Sequence, residues 1–288
     1  MRKRGRFAMW QRCVAMLVVV LPLDAAPIEP QAPPRRIVSL VPGATEVLFA
    51  IGAGDLVAGV SSFDHWPLEV ERLPRVGGLI DPDLEAILAL RPDLAIIDPS
   101  QGSLQRQLRL SGIAAYEYAT ADVADLLRNM RELGNLLGLA DRAARSAERV
   151  SADLDAVRVK YASADPLRVL MVFGRRDGSF AELWVNGGVG FLQELTTIAG
   201  GSNVFDDVAR PGFKAGLEAV IARVPDVVVE LRSDAQSDVP ASTLEAEWRT
   251  LPGFDVVHVV TLAAGWMLVP GPRVAEAARV LGERLHGS

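Results

Sequence analysis

One stretch of this chain occurs twice, and that repeat restricts the fold more than any other feature. Leu84-Glu85-Ala86-Ile87-Leu88-Ala89-Leu90-Arg91-Pro92-Asp93-Leu94 returns as Leu217-Glu218-Ala219-Val220-Ile221-Ala222-Arg223-Val224-Pro225-Asp226-Val227. Each copy reads as a helix, a Pro-Asp turn and the start of a buried strand, because proline cannot continue a helix and biases the residue before it toward extended backbone. Around each copy, β-branched runs alternate with helical patterns, the mark of α/β architecture with mainly parallel sheets. The first series is Ile37-Val38-Ser39-Leu40, Val57-Ala58-Gly59-Val60, Leu94-Ala95-Ile96-Ile97 and Ala115-Tyr116-Glu117-Tyr118; the second is Arg168–Phe173, Val227–Glu230 and Val257–Val260. A helix is expected from Pro42 through Ile51, closed by Gly52 and Gly54. The chain therefore reads as two related α/β lobes.

Asp141 to about Ser163 contains neither glycine nor proline, and Ala143, Ala147, Val150, Leu154, Val157 and Tyr161 recur four and three apart on one helix face. At 1.5 Å per residue such a helix is roughly 35 Å long, enough to join the lobes. The expected organisation is a leader over 1–26, a linker over 27–35, an N-terminal lobe over 36–139, a bridging helix over 140–165 and a C-terminal lobe over 166–288. A continuous bridging helix offers no low-energy hinge, so closure is expected to be a small rocking motion.

The leader is expected from Arg2, Lys3, Arg4, Arg6 and Arg12 ahead of the apolar run Val14–Leu21, which ends in Pro22 and the small residues Ala25-Ala26. That run is shorter than the roughly 20 residues a membrane span needs. The single cysteine, Cys13, falls inside the leader, so a mature chain has no thiol for disulfides, cysteine-bound metal or nucleophilic catalysis. Removing the leader subtracts five positive charges and one negative, which takes the formal charge from −6 to −10. Such an acidic chain is not expected to bind nucleic acid or an anionic membrane surface. Pro27, Pro30, Pro33 and Pro34 give the linker an extended character.

Catalytic signatures are missing. No Gly-x-Ser-x-Gly elbow occurs, nor a phosphate-cradling Gly-x-x-x-x-Gly-Lys-Ser/Thr, nor a Gly-x-Gly-x-x-Gly, and Gly187-Gly188-Val189-Gly190 fits neither glycine spacing. The chain is not expected to be an enzyme.

Several motifs resemble the cobalamin- and iron-siderophore-binding proteins of ABC importers, the type whose lobes are joined by a rigid helix. In the first lobe they are Arg36-Ile-Val-Ser-Leu-Val-Pro-Gly-Ala-Thr-Glu46, Gly59-Val-Ser-Ser-Phe-Asp-His-Trp-Pro67 and Val76-Gly-Gly-Leu-Ile-Asp-Pro-Asp-Leu-Glu85; in the second, the run from Glu194-Leu195 to Phe205. The resemblance implies an exported, periplasmic, monomeric receptor that takes a metal chelate in a cleft between the lobes and delivers it to the membrane permease. It implies that one glutamate per lobe docks on the permease, and Glu85 and Glu218 hold those places, at one position of the repeat. It also implies a transported cobalamin or other corrinoid, with no cofactor of the protein's own. A ferric siderophore or haem is the alternative within this fold, and an exported sensor domain the alternative outside it.

A large planar chelate needs apolar, aromatic walls with a few polar contacts. Phe63, His65, Trp66, Trp184 and Trp266 are the candidate walls, whereas Trp248, in a helical stretch outside every motif, is assigned to the core. Leu79 stands where a cobalamin-binding relative carries another tryptophan. Arg175 and Arg176 are candidates for pairing with an anionic group of the ligand. Three histidines, His65, His258 and His286, are too few for a receptor of free zinc or manganese ions, and no protein metal ligand is assigned.

Overall fold

The computed structural model describes residues 32–232 and 239–287. The expected leader, Cys13 within it and residues 27–31 of the expected linker lie outside the described residues.

In the first half, β1 (Ile37–Ser39) leads into α1 (Pro42–Ala50), followed by β2 (Val57–Val60), α2 (Leu84–Ala89), β3 (Leu94–Ile97), α3 (Gly102–Leu110), β4 (Ala114–Glu117) and α4 (Val123–Leu136). The four strands form an all-parallel sheet in the order β2-β1-β3-β4. Every residue of β1 and β3 is buried. That is why these runs are continuously apolar: a parallel sheet is covered on both faces.

After α5 (Ala140–Tyr161), the second half contains β5 (Leu167–Gly174), β6 (Leu183–Asn186), α6 (Phe191–Ile198), β7 (Gly201–Asn203), β8 (Gly212–Ala215), α7 (Leu217–Arg223), β9 (Val227–Arg232), α8 (Ala241–Trp248), β10 (His258–Ala263) and α9 (Val274–His286). Its sheet runs β10-β9-β5-β6-β8, with β7 on the first half of β5. β10, β9, β5 and β7 are parallel, but β6 and β8 are antiparallel. Trp184, one of the candidate wall residues, lies within β6 and points outward between the buried Leu183 and Val185. Four residues in glycine-rich text are too few for an alternation to declare itself.

The repeat is real in three dimensions. Arg91 and Val224, at one repeat position, are the two described non-glycine residues with positive φ, at 47° and 43°. Asp93 accepts from the backbone N–H of Arg36 at 3.0 Å, and Asp226 from that of Arg168 at 2.8 Å. Each Pro-Asp turn thus ties its helix to the first strand of its own lobe.

α5 buries Ala143, Ser146, Ala147, Val150, Leu154, Val157 and Tyr161, the expected face plus one serine. Its 22 residues span roughly 33 Å at 1.5 Å per residue. It packs on α4, where a Cβ on Gly134 would fall 2.1 Å from that of Ala143, and on α6 and α9 of the second lobe. Ser146 Oγ donates to the Ala50 carbonyl at 2.8 Å, closing the far end of α1 against it.

Candidate functional site

The lobes meet around the segment between β10 and α9. Gly43, in the first turn of α1, has the Pro270 carbonyl where a Cβ would sit, 2.5 Å away. The buried Tyr118 hydroxyl donates to the same carbonyl at 3.1 Å. Val123 N–H, at the start of α4, donates to Glu194 Oε2 of α6 at 3.0 Å. Arg273 Nε donates to both carboxylate oxygens of Glu46 at 3.1 Å, an ion pair between residues 227 positions apart.

Two chambers flank the segment Leu268–Pro270. The first, about 460 Å³, is walled by Phe63, His65 and Trp66 from the loop after β2 and by Trp266 from the turn after β10, with Glu46, Asp64 and Arg273 at its base. The Arg273 guanidinium lies 5.2 Å from the Trp66 ring centroid and 4.9 Å from that of Trp266. The cation bridges an indole from each lobe, the geometry of a cation–π contact. The second chamber, about 690 Å³, lies between the N-termini of α4 and α6 and includes Asp122, Glu194, Val189, Phe191 and Pro211.

Burial dominates the electrostatics at the base. Asp64 is pushed up to about 6, chiefly because it is buried; Thr45, the Ser61 backbone and the Arg75 charge oppose the shift only in part. Neither Asp64 oxygen reaches a hydrogen-bond partner in good geometry. Glu46 is also raised above the ordinary carboxylate range, its desolvation outweighing the ion pair with Arg273.

Of the expected wall residues, the structure brings together Phe63, His65, Trp66 and Trp266 and leaves Trp184 apart. Trp184 packs against Phe173, with Lys214 over its ring at 5.5 Å. Arg175 is in neither chamber: its side chain is fully buried, with Nε on Glu230 at 3.0 Å and Nη1 on Glu247 at 2.7 Å, so the lobe's interior holds the cation that was expected to meet an anionic ligand. Arg176 is exposed and lines neither chamber. Leu79 is half exposed on the loop that Gln101 pins by donating to its carbonyl at 3.0 Å. Glu85 and Glu218 are exposed in the first turns of α2 and α7.

Glu46, Asp64 and Arg273 escaped the sequence reading. A charged residue between aromatics, as in Phe63-Asp64-His65-Trp66, was the available signal for one; the Glu46–Arg273 pair needed the fold, since its partners lie 227 positions apart. His286 stacks on Tyr161 at 4.7 Å and approaches the Ala199 carbonyl at 3.0 Å, and His65 lies 3.6 Å from Glu71. Among the described residues no three of His, Cys, Asp or Glu converge to hold a metal ion, and no helix is long and apolar enough to cross a membrane.

The model of the family described as periplasmic binding protein matches residues 37–246. The vitamin B12-binding protein of Yersinia pseudotuberculosis is 28% identical over 284 residues, covering 98% of this chain and 95% of that protein. Among solved structures, the periplasmic vitamin B12 binding protein of Vibrio cholerae aligns with a TM-score of 0.72 and 26% identity over 88% of this chain and 97% of that one. The periplasmic heme-binding protein from Roseiflexus sp. RS-1 aligns with a TM-score of 0.76 and 27% identity, over 88% and 98%.

Proposed function

The chain belongs to the periplasmic binding protein family, and from that premise we propose that it captures a cobalamin-type corrinoid between its lobes and hands it to the permease of an ABC importer. The observation that carries this reading is the aromatic chamber, with Trp66 and Trp266 facing it from opposite lobes. Indole faces bury a large planar ligand at low entropic cost, and a wall from each lobe couples binding to closure. The names of the relatives found, vitamin B12-binding proteins in particular, agree with it. The protein acts without catalysis, as a monomer in the periplasm, once the leader over 1–26 is removed. The division into lobes at 36–139 and 166–288, with the bridge between, places the cleft where rocking about α5 opens it. Trp184 and Arg176, which line neither chamber, have no ligand contact in this reading.

Haem or a ferric siderophore is the second reading; the observation favouring it is the structural likeness to a heme-binding protein. Tryptophan-fluorescence titration backed by calorimetry, with cobalamin, haem and ferric siderophores, separates the two. Saturable one-to-one cobalamin binding is expected, weakened roughly tenfold to a hundredfold by Trp66→Ala or Trp266→Ala, the equivalent of losing about 1.5–3 kcal/mol of aromatic burial. Silence toward cobalamin with haem binding overturns the ligand and keeps the receptor.

Glu85 and Glu218 are the permease contacts in this reading, supported by their exposure and by their shared place in the repeat. Glu85→Ala with Glu218→Ala should abolish uptake in cells and leave binding intact. Normal uptake would remove the docking role.

A further inference from the structure

The charges of the cleft define a class of ligand more narrowly than its aromatic walls do. The residues lining the two chambers include four carboxylates: Glu46 and Asp64 in the first, Asp122 and Glu194 in the second. Among the described residues that line them, Arg273 is the one permanent cation, and Glu46 already holds it. His65 is exposed and has Glu71 at 3.6 Å. Arg75, beneath Asp64, donates to the carbonyls of Ser61 and Asp64 at 3.1 and 2.6 Å and pairs with Glu71 at 3.1 Å, so its charge is largely answered. Lys214, near Pro211 in sequence, pairs with Glu182 at 2.7 Å. Glu276, in the first turn of α9, adds a further negative charge close to Glu46.

The helix ends do not reverse this balance. The N-terminus of α4 meets Asp122, which accepts from Asp125 N–H at 2.7 Å, and Glu194, which accepts from Val123 N–H at 3.0 Å. A helix N-terminus carries about half a positive charge, so those of α4 and α6 together offset about one of the four carboxylates. Asp64 stands apart from all these pairings: it is almost fully buried, and its approaches to Thr45 and the Ser61 backbone leave neither oxygen hydrogen-bonded in good geometry.

We propose that this cleft selects uncharged or cationic metal chelates and rejects anionic ones, with Asp64 and Asp122 as the specificity-determining residues. The inference rests on the cleft being the ligand site. Its physical basis is that like charges brought together on desolvation repel strongly, whereas a neutral ligand meets only the aromatic walls and a cation gains from the surplus carboxylates. Corrinoids satisfy this rule, as cyanocobalamin is uncharged and diaquacobinamide cationic. Haemin, with its propionates, and ferric enterobactin, a trianion, do not.

The test is a calorimetric panel on the full mature protein at neutral pH and low salt: cyanocobalamin, diaquacobinamide, haemin, ferric enterobactin and ferrioxamine B, a cationic siderophore. Diaquacobinamide is expected to bind at least as tightly as cyanocobalamin, and haemin and ferric enterobactin about a hundredfold more weakly or not at all, a gap that narrows as salt screens the charges. The pair Asp64→Asn with Asp122→Asn, which keeps the side-chain shape and the helix cap, should close the gap by about tenfold or more. Preference for haemin or ferric enterobactin in the native protein overturns the charge rule, as does an unchanged gap in the double variant. Equal binding of cyanocobalamin and haemin overturns it too, while leaving the corrinoid reading standing. Ferrioxamine B bound with both corrinoids ignored does the reverse: the charge rule holds and the corrinoid reading falls.

Discussion

At one position of the repeated unit the first lobe carries Ile97 and the second Glu230, and both are buried. Ile97, at the end of β3, packs in an apolar cluster with Val38, Leu40, Leu104 and Leu108. Glu230, on β9, accepts from Arg175 Nε at 3.0 Å, from Arg232 Nη1 at 3.0 Å and from the buried Trp248 indole at 2.8 Å. Asp177 and Glu247 complete the set on the two arginines, at 2.6 and 2.7 Å. The same helix-turn-strand device therefore closes on hydrocarbon in one lobe and on an ionic network in the other. A repeated backbone unit does not require a repeated core, because the residues around it decide what its strand end can bury.

The sharpest way to break this contrast is to remove the centre of the network. Glu230→Ala leaves Arg175 buried without its main partner and is expected to cost about 3–5 kcal/mol. Ile97→Val in the first lobe is expected to cost only about 0.5–1.5 kcal/mol. Urea unfolding of both variants measures the difference, and equal costs would mean that the network contributes no more than the methyl groups it replaces.

The next effect is electrostatic and belongs to the first lobe. Asp64 has a folded-state value of about 6 against an ordinary 3.8, so the folded protein binds its proton more readily than the unfolded chain. Its contribution to stability is therefore fully present below the unfolded value and is lost as pH rises through about 6. Between pH 7 and pH 5 this amounts to a gain on the order of 1 kcal/mol on acidification. Thermal unfolding should show that gain in the native protein and a smaller one in Asp64→Asn. An identical pH dependence in the two would place the buried charge elsewhere.

The smallest effect lies in the repeat itself. Asp83 caps α2 by accepting from Ala86 N–H at 2.9 Å, whereas Gly216, its counterpart, gives α7 no side-chain cap. Asp83→Ala should cost about 0.5–1 kcal/mol and Gly216→Asp should recover a few tenths in the second lobe. Chemical denaturation resolves both, and a neutral Asp83→Ala would show that the Pro-Asp turn alone holds the unit.

Much of the fold was legible because its signals are local. The runs that became β1 to β4 are short, apolar and bounded by turn residues, and the face of α5 follows from Ala143 through Tyr161 at spacings of three and four. β6 to β8 were not legible, since Leu183–Asn186 and Gly201–Asn203 are short segments in glycine-rich text whose pairing is set by β5. The walls of the site were visible as aromatics in loops, but Arg175 was misleading. A pair of arginines after a strand looks like a surface charge until the strand beside it is known to carry the buried Glu230.

The sequence by itself determined that two α/β units are joined by one uninterrupted helix, since helix periodicity, proline chemistry and strand composition act within a few residues of one another. Only the tertiary structure decided which charges are buried and which face the cleft. Glu46 meets Arg273 across 227 positions of chain, and the same guanidinium lies over both Trp66 and Trp266, residues from opposite lobes. The reason is that the free energy of a charge depends on its neighbours and on its exposure to water, and neither is a property of the segment that carries it.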